Sequence, residues 1–359
     1  MSNYIEYGNK VAFHPGYYIK EYIEEVGLTQ EDFANRLGTT PKNISYIIRG
    51  EQSVSIEIAY KLSRMMGTSI KLWQNLQNEY DALMIEFKNE KELQEEREIF
   101  KTLNYSYFRD NFDLPDIPRK IDEQIKNVRE FLNVSSLNVF KKADMYVKFR
   151  SIASQQSEAS MVKENIMVQI AANISMKKND IPKYDKKKFL NSIKYALTLT
   201  TRHNDFYKII KDEFYQSGVD LIILPNISGS KINGACKKIG NHIMLMINDR
   251  NSNQDSFWFT LFHEICHIIN GDFGVSFENE FGKEEEEANK FAEECLIPSK
   301  AYKQFINENN FTLENVIYFS NKIDRDPCII LGRLQKEKII RYDDWRFNIL
   351  RKKYTISYF

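Results

Sequence analysis

Apolar positions recur at helical spacing along most of the 359-residue chain, and the exceptions mark its organisation. Near the N-terminus, Leu28-Thr29-Gln30-Glu31-Asp32-Phe33-Ala34-Asn35-Arg36-Leu37-Gly38 reads as a Thr-capped helix closed by Gly. Thr39-Thr40-Pro41 opens a second helix through Ile48, closed by Gly50, with Ile44, Ile47 and Ile48 on its core side. Residues 83–101 are charge-rich with sparse apolar positions, the pattern of an exposed connecting helix, which Leu114-Pro115-Asp116-Ile117-Pro118 breaks. Helical periodicity returns at Ile121, Ile125, Val128 and Leu132, and breaks again at Lys178-Asn179-Asp180-Ile181-Pro182. Val219–Leu224 and His242–Ile247 are β-rich runs. An apolar run from Phe257 to Ile269 follows, then a helix whose apolar residues fall at 288, 291, 292, 295 and 296 and which Pro298 stops. The pattern predicts a mainly α chain with a small β-sheet: a helical domain over 1–82, a linker helix over 83–118, and an α+β domain over 119–359 with its core at about 205–300.

Chemistry concentrates in the apolar run, where residues 263–267 read His-Glu-Ile-Cys-His. Residues four apart share a helix face, so His263 and His267 can offer two imidazole nitrogens to one Zn²⁺, with Glu264 beside it as a candidate general base. A hydrolytic zinc site needs a third protein ligand and one open position. Asn270-Gly271 stops the helix, and the next helix opens with Glu284-Glu285-Glu286-Glu287. Stepping about 100° per residue places Glu284 and Glu285 near the buried stripe, whereas Glu286 and Glu287 point away from it as a solvated helix start. Either of the first two is a candidate ligand.

Trp258-Phe259-Thr260-Leu261-Phe262-His263-Glu264-Ile265-Cys266-His267-Ile268-Ile269-Asn270-Gly271-Asp272 followed by Glu284-Glu285-Glu286-Glu287-Ala288-Asn289-Lys290-Phe291-Ala292-Glu293-Glu294-Cys295-Leu296-Ile297-Pro298 resembles the ImmA/IrrE family of metallopeptidases. Ser217–Pro225, Asn233-Gly234-Ala235-Cys236 and Ile330-Leu331-Gly332-Arg333-Leu334-Gln335 are similar to further segments of that family, so the likeness covers roughly the last half of the chain. The resemblance implies a zincin-like (gluzincin) fold, one Zn²⁺ per chain, and Glu285 as the third ligand. It also implies that Asn289 accepts a hydrogen bond from a ligand His, where many relatives carry Asp. In zincins the sheet holds an extended peptide by β-addition, so a substrate strand is expected antiparallel to one of the runs at 219–224 and 242–247. The residue that stabilises the oxyanion stays open among His203, His242 and the tyrosines.

The N-terminal helices have the helix-turn-helix layout, whose second helix enters the major groove. With His14-Pro15-Gly16 ahead of them and Trp73-Gln74-Asn75-Leu76-Gln77 behind, they resemble Cro/XRE-type repressors and especially HigA-like antitoxins, which implies a five-helix DNA-binding domain acting as a homodimer on an operator. A recognition helix at 41–49 would offer Thr40, Lys42, Asn43 and Tyr46 to bases, with Gln30 and Arg36 or Arg49 for phosphates. Residues 1–80 hold eight Lys/Arg against nine Asp/Glu, a balance of −1, which is not the basic domain common in nucleic-acid binders. Locally, Phe33 to Gly50 carries three basic residues and no acid.

Overall the charges cancel, 50 basic against 50 acidic, and 42% apolar residues are enough for real cores. No apolar run reaches membrane-spanning length and the N-terminus has no basic-then-apolar leader pattern, so a cytoplasmic protein is expected. Cys236, Cys266, Cys295 and Cys328 lack CxxC spacing and read as reduced core thiols. Taken with the two resemblances, these features imply a DNA-binding regulator with zinc endopeptidase activity. Its substrate would be an XRE-type repressor, or its own linker, in stress or prophage regulation. The competing expectation is a non-catalytic antitoxin-type regulator whose zincin fold senses a ligand or binds a partner.

Overall fold

The computed structural model describes residues 4–142, 157–202, 205–250, 253–277 and 282–353. The chain divides into two compact units, Met1–Glu95 and Glu96–Phe359.

The first unit opens with a hairpin that the periodicity did not reveal, β1 (Tyr4–Tyr7) paired antiparallel with β2 (Lys10–Phe13). Four helices follow: α1 (Pro15–Glu25), α2 (Gln30–Leu37), α3 (Pro41–Ile48) and α4 (Ile56–Met66). The fifth, α5 (Ile70–Lys101), contains the boundary between the units. Thr29 caps α2 by accepting from Asp32 N, and Gly38, at φ 68°, closes it in the left-handed conformation that a side chain disfavours. Ile19, Phe33, Ile44, Ile47, Leu62 and Trp73 form the core. His14-Pro15-Gly16 has a structural explanation. His14 Nδ1 accepts from Gly16 N at 3.0 Å, and Pro15 suits the first helical turn. A Cβ on Gly16 would lie 1.9 Å from the Ile47 carbonyl oxygen, so α1 and α3 meet backbone to backbone there.

The second unit runs α6 (Tyr105–Phe112), α7 (Ile121–Leu132), α8 (Glu158–Met176), α9 (Lys186–Thr198), α10 (Phe206–Gln216), β3 (Val219–Leu224), β4 (Ile232–Ile239), β5 (His242–Asn248), α11 (Gln254–Asn270), β6 (Gly274–Phe277), α12 (Lys283–Leu296), α13 (Ser299–Asn307), α14 (Leu313–Lys322) and α15 (Pro327–Lys336). The connecting helix ends at Lys101, earlier than the proline-rich stretch, because Asn104 caps a new helix by accepting from Ser106 N. Residues 96–118 carry tertiary contacts within this unit. Tyr107 donates to Pro225 O at 2.8 Å, and the buried Glu96 carboxylate binds Arg129 at 3.0 Å and Leu137 N at 2.6 Å.

The sheet has the order β3-β5-β4-β6, with β3 parallel to β5 and the other pairs antiparallel. Alternation along the strands separates two faces. Leu221, Ile223, Leu245 and Ile247 pack with α11 residues such as Trp258, Leu261 and Phe262 in the main core. The opposite face, with Asp220, Met244 and Met246, meets α8: Lys178, just past its end, pairs with Asp220 at 2.6 Å, and Ser175 bonds His242 at 3.0 Å. β5 has neighbours on both sides, so of the two runs named for a substrate strand only β3, over 219–224, keeps an open edge. Among the described residues the free sheet edges belong to β3 and β6.

Candidate metal centre and helix-turn-helix face

Two helices build the centre. α11 is apolar on all sides and its middle is fully buried, which fixes its rotation against the sheet; His263 and His267 then fall one turn apart on one face. α12 crosses it with Ala288 and Ala292 at 0% exposure, and the small side chains let the helices approach closely. Of its first-turn acids only Glu285 is buried; Glu284, Glu286 and Glu287 are exposed. Packing thus turns Glu285 inward and leaves Glu284 at the surface.

His263 Nε2 lies 3.1 Å from His267 Nε2 and 3.0 Å from Glu285 Oε2, and His267 Nε2 lies 3.4 Å from Glu285 Oε1. A tetrahedral ion with bonds of about 2.0–2.2 Å separates its donor atoms by about 3.3–3.6 Å; the observed 3.4 Å lies in that range and the 3.0 and 3.1 Å a few tenths of an ångström inside it, so small outward shifts of the side chains would admit one zinc-sized ion. They are the one group of His, Cys, Asp or Glu among the described residues with this convergence. With Asn289 Oδ1 accepting at 3.1 Å, His263 Nδ1 is the protonated nitrogen and Nε2 faces the centre. Burial acts to lower the His263 pKa, but the hydrogen bond to Glu285 and the charges of Glu264 and Glu285 outweigh it and hold the imidazole above its ordinary value. Burial acts to raise Glu285, and the two imidazoles override it, keeping the carboxylate well below the usual range. Glu264, one residue from His263, is 0% exposed, and among the described residues neither of its oxygens has a hydrogen-bond partner.

His242 is held elsewhere, at the far end of β5 from α11's start and bonded to Ser175, while His203 lies outside the described residues. Cys266 and Cys295, on α11 and α12, are not joined in a disulfide, and burial pushes the Cys295 thiol up to about 11, which suits packing. Arg333 stacks its guanidinium 3.9 Å from the Tyr302 ring and pairs with Glu293 and Glu337, which ties α15 to α12 and α13. A Cβ on Gly332 would meet Asp255 Oδ2 at 2.5 Å, so the Gly-Arg-Leu-Gln segment braces α11 from behind.

In the first unit the named candidates gather around α3. Gln30 starts α2 and is exposed. Thr40 is occupied as the cap of α3, accepting from Asn43 N. The Asn43 amide is tied on both sides, donating to Thr39 at 2.8 Å and accepting from Gln52 at 2.6 Å. The Tyr46 ring has Lys42 Nζ at 5.7 Å and the Arg49 guanidinium at 5.0 Å from its centroid. Arg49 also pairs with Glu51 at 3.0 Å. Gln52 and Glu51 escape sequence reasoning because both follow the closing Gly50, beyond the helix that the layout singles out.

Comparison with known proteins agrees with this division. Residues 19–73 match the family described as Helix-turn-helix, and residues 217–322 match the family described as IrrE N-terminal-like domain. The chain is 33% identical over 76 residues to virulence-associated protein I of Dichelobacter nodosus, covering 21% of this chain and 70% of that protein. It is 35% identical over 71 residues to the uncharacterized HTH-type transcriptional regulator YddM of Escherichia coli (strain K12), covering 19% of this chain and 76% of that one. An addiction module antidote protein of a HigA family from Coxiella burnetii is a similar solved structure, at 27% identity and TM-score 0.22 over 23% of this chain and 92% of that one. Pseudomonas aeruginosa antitoxin HigA with higBA promoter is another, at 28% identity and TM-score 0.22 over 23% and 92%. Through its first unit the chain belongs to the helix-turn-helix transcriptional regulators, and its second carries an IrrE N-terminal-like domain. Among the described residues no helix is long and apolar enough to cross a membrane.

Proposed function

We propose that the protein is a DNA-binding transcriptional regulator that is also a zinc endopeptidase. The observation that carries the reading is the convergence of His263, His267 and Glu285 at 3.0–3.4 Å, with the buried Glu264 carboxylate alongside. A zinc ion held by those three donors would supply Lewis acidity, lowering the pKa of water towards roughly 7. Glu264 takes the proton of a water attacking a peptide carbonyl and returns it to the leaving amine. Asn289 keeps the His263 ring oriented, with Nε2 towards the centre. Among the described residues the fully buried Glu264 carboxylate has no hydrogen-bond partner that would hold it in reserve.

The substrate in this reading is a separate repressor of the XRE type. A peptidase binds its substrate as an extended strand, whereas Ile99, Phe100, Leu103 and Phe108 of the 83–118 stretch are buried on helices or the turn between them. The α3 face, with Lys42, Tyr46 and Arg49, supplies operator binding, supported by the helix-turn-helix match. Incubating the purified, zinc-loaded full chain with repressors encoded beside it tests the activity. Defined fragments are expected with the wild type and none with Glu264→Gln. A zinc-loaded wild type that cuts no partner, and itself stays intact, would favour the antitoxin-type regulator.

A further inference from the structure

Glu264 is fully buried, so whatever packs against it decides where its carboxylate points. That contact comes from β4. A Cβ on Gly234 would stand 2.7 Å from Glu264 Cγ, 2.7 Å from Oε1 and 2.9 Å from Cδ, and these are the three nearest atoms to it. Gly234 has no left-handed φ, so its backbone does not demand glycine; the missing side chain is what the site uses. The strand pairing is irregular at this point, with the β4–β6 register shifting between Ile232 and Gly234. Such irregularities re-aim a strand locally and are common beside functional sites.

The backbone on each side is held in place. Gly234 is held between β5 and β6, opposite Ile247 and Ser276. α11 is pinned by Leu261, Phe262 and Ile265, each 0% exposed. One of the threatened atoms is Cγ, close to the helix backbone, so rotating the carboxylate end alone cannot relieve an added methyl.

We propose that Gly234 is the positioning residue for Glu264: its bare Cα is the wall that sets how far the carboxylate swings relative to His263, His267 and Glu285. The catalytic part of this claim rests on the peptidase reading above, while the packing part does not. A displacement of about 1 Å at a reacting group costs on the order of 100-fold in rate.

The test is a double-mutant cycle in the full-length chain. In the metal-free protein Gly234→Ala should lower the melting temperature by several degrees, and should cost far less when Glu264→Ala has already removed the opposing atoms. In the zinc-loaded protein Gly234→Ala should keep wild-type metal content and KM within about twofold while kcat falls about 100-fold. If Gly234→Ala alone fails to fold, recovery of folding in the double variant carries the same information. Equal destabilisation in both backgrounds, or an unchanged kcat, overturns the proposal. A wild type that binds zinc and cleaves nothing defeats the peptidase reading instead, and the two failures stay distinguishable because the stability cycle needs neither metal nor substrate.

Discussion

Asn289 Oδ1 lies 3.1 Å from His263 Nδ1, and the two residues sit on different helices, so the orientation of the His263 imidazole is set by a neutral amide across the α11–α12 contact. Removing an outer partner of this kind typically costs 10–100-fold in metal affinity. Asn289→Ala should therefore weaken zinc binding by about that factor in competition with a chromophoric chelator, and Asn289→Asp should bind at least as tightly as wild type because a carboxylate makes the imidazole more basic. Unchanged affinity in Asn289→Ala would remove the amide from the site.

Glu285 is buried against both imidazoles, and its neighbours are in solvent. Its replacement by Ala should cost more than the roughly 10–100-fold of an outer partner, while Glu284→Ala, Glu286→Ala and Glu287→Ala should leave zinc affinity near wild type. Glu284→Ala as the damaging change would contradict the packing of α12.

Glu164 of α8 gives a pH prediction that needs no metal. Burial raises its pKa above the ordinary 4.5, against the opposing bonds from Ser160 and the Lys231 backbone, and among the described residues its Oε2 has no partner. The folded state thus holds the proton more tightly than the unfolded chain. The stability this contributes is complete below pH 4.5 and is lost as pH rises through the higher folded value. Glu164→Gln cannot ionise, so it should melt above wild type at pH 8, by about 1–3 kcal/mol of stability, with the gap closing towards pH 4. A gap that is constant across this range would contradict the burial argument.

For DNA, Arg49 stands over the Tyr46 ring and shares its charge with Glu51. Arg49→Ala should weaken binding to all sequences and flatten the salt dependence by about one phosphate contact, whereas Lys42→Ala should reduce preference for an inverted repeat upstream of the gene. Because Gln52 holds the Asn43 amide, Gln52→Ala should alter discrimination as Asn43→Ala does. Polarisation titrations at several salt concentrations read all three. No preference for upstream over random DNA would assign the first unit to protein binding.

Residues whose partners lie within a helical turn or two are legible in the amino-acid sequence. Thr29, Gly38 and the His263/His267 pair follow from local geometry, and the stripe through Ala288 and Ala292 puts Glu285 within one residue of its place. What escapes depends on long-range pairing. The hairpin strands are four residues each, too short to show alternation. β4 is hard to read because Asn233-Gly234 and Lys237-Lys238 interrupt its apolar pattern, and it is held as a strand by neighbours on both sides. The contact between Gly234 and Glu264 joins residues thirty positions apart through an irregular register, which periodicity cannot report.

The zinc content of three full-length proteins tests the central claim most directly. After dialysis against a weak chelator, wild type and Glu264→Gln should each retain about one zinc per chain, as expected of a three-ligand site with a separate base, and His263→Ala should retain little or none. Equal zinc in wild type and His263→Ala would contradict the metal centre, and with it the peptidase.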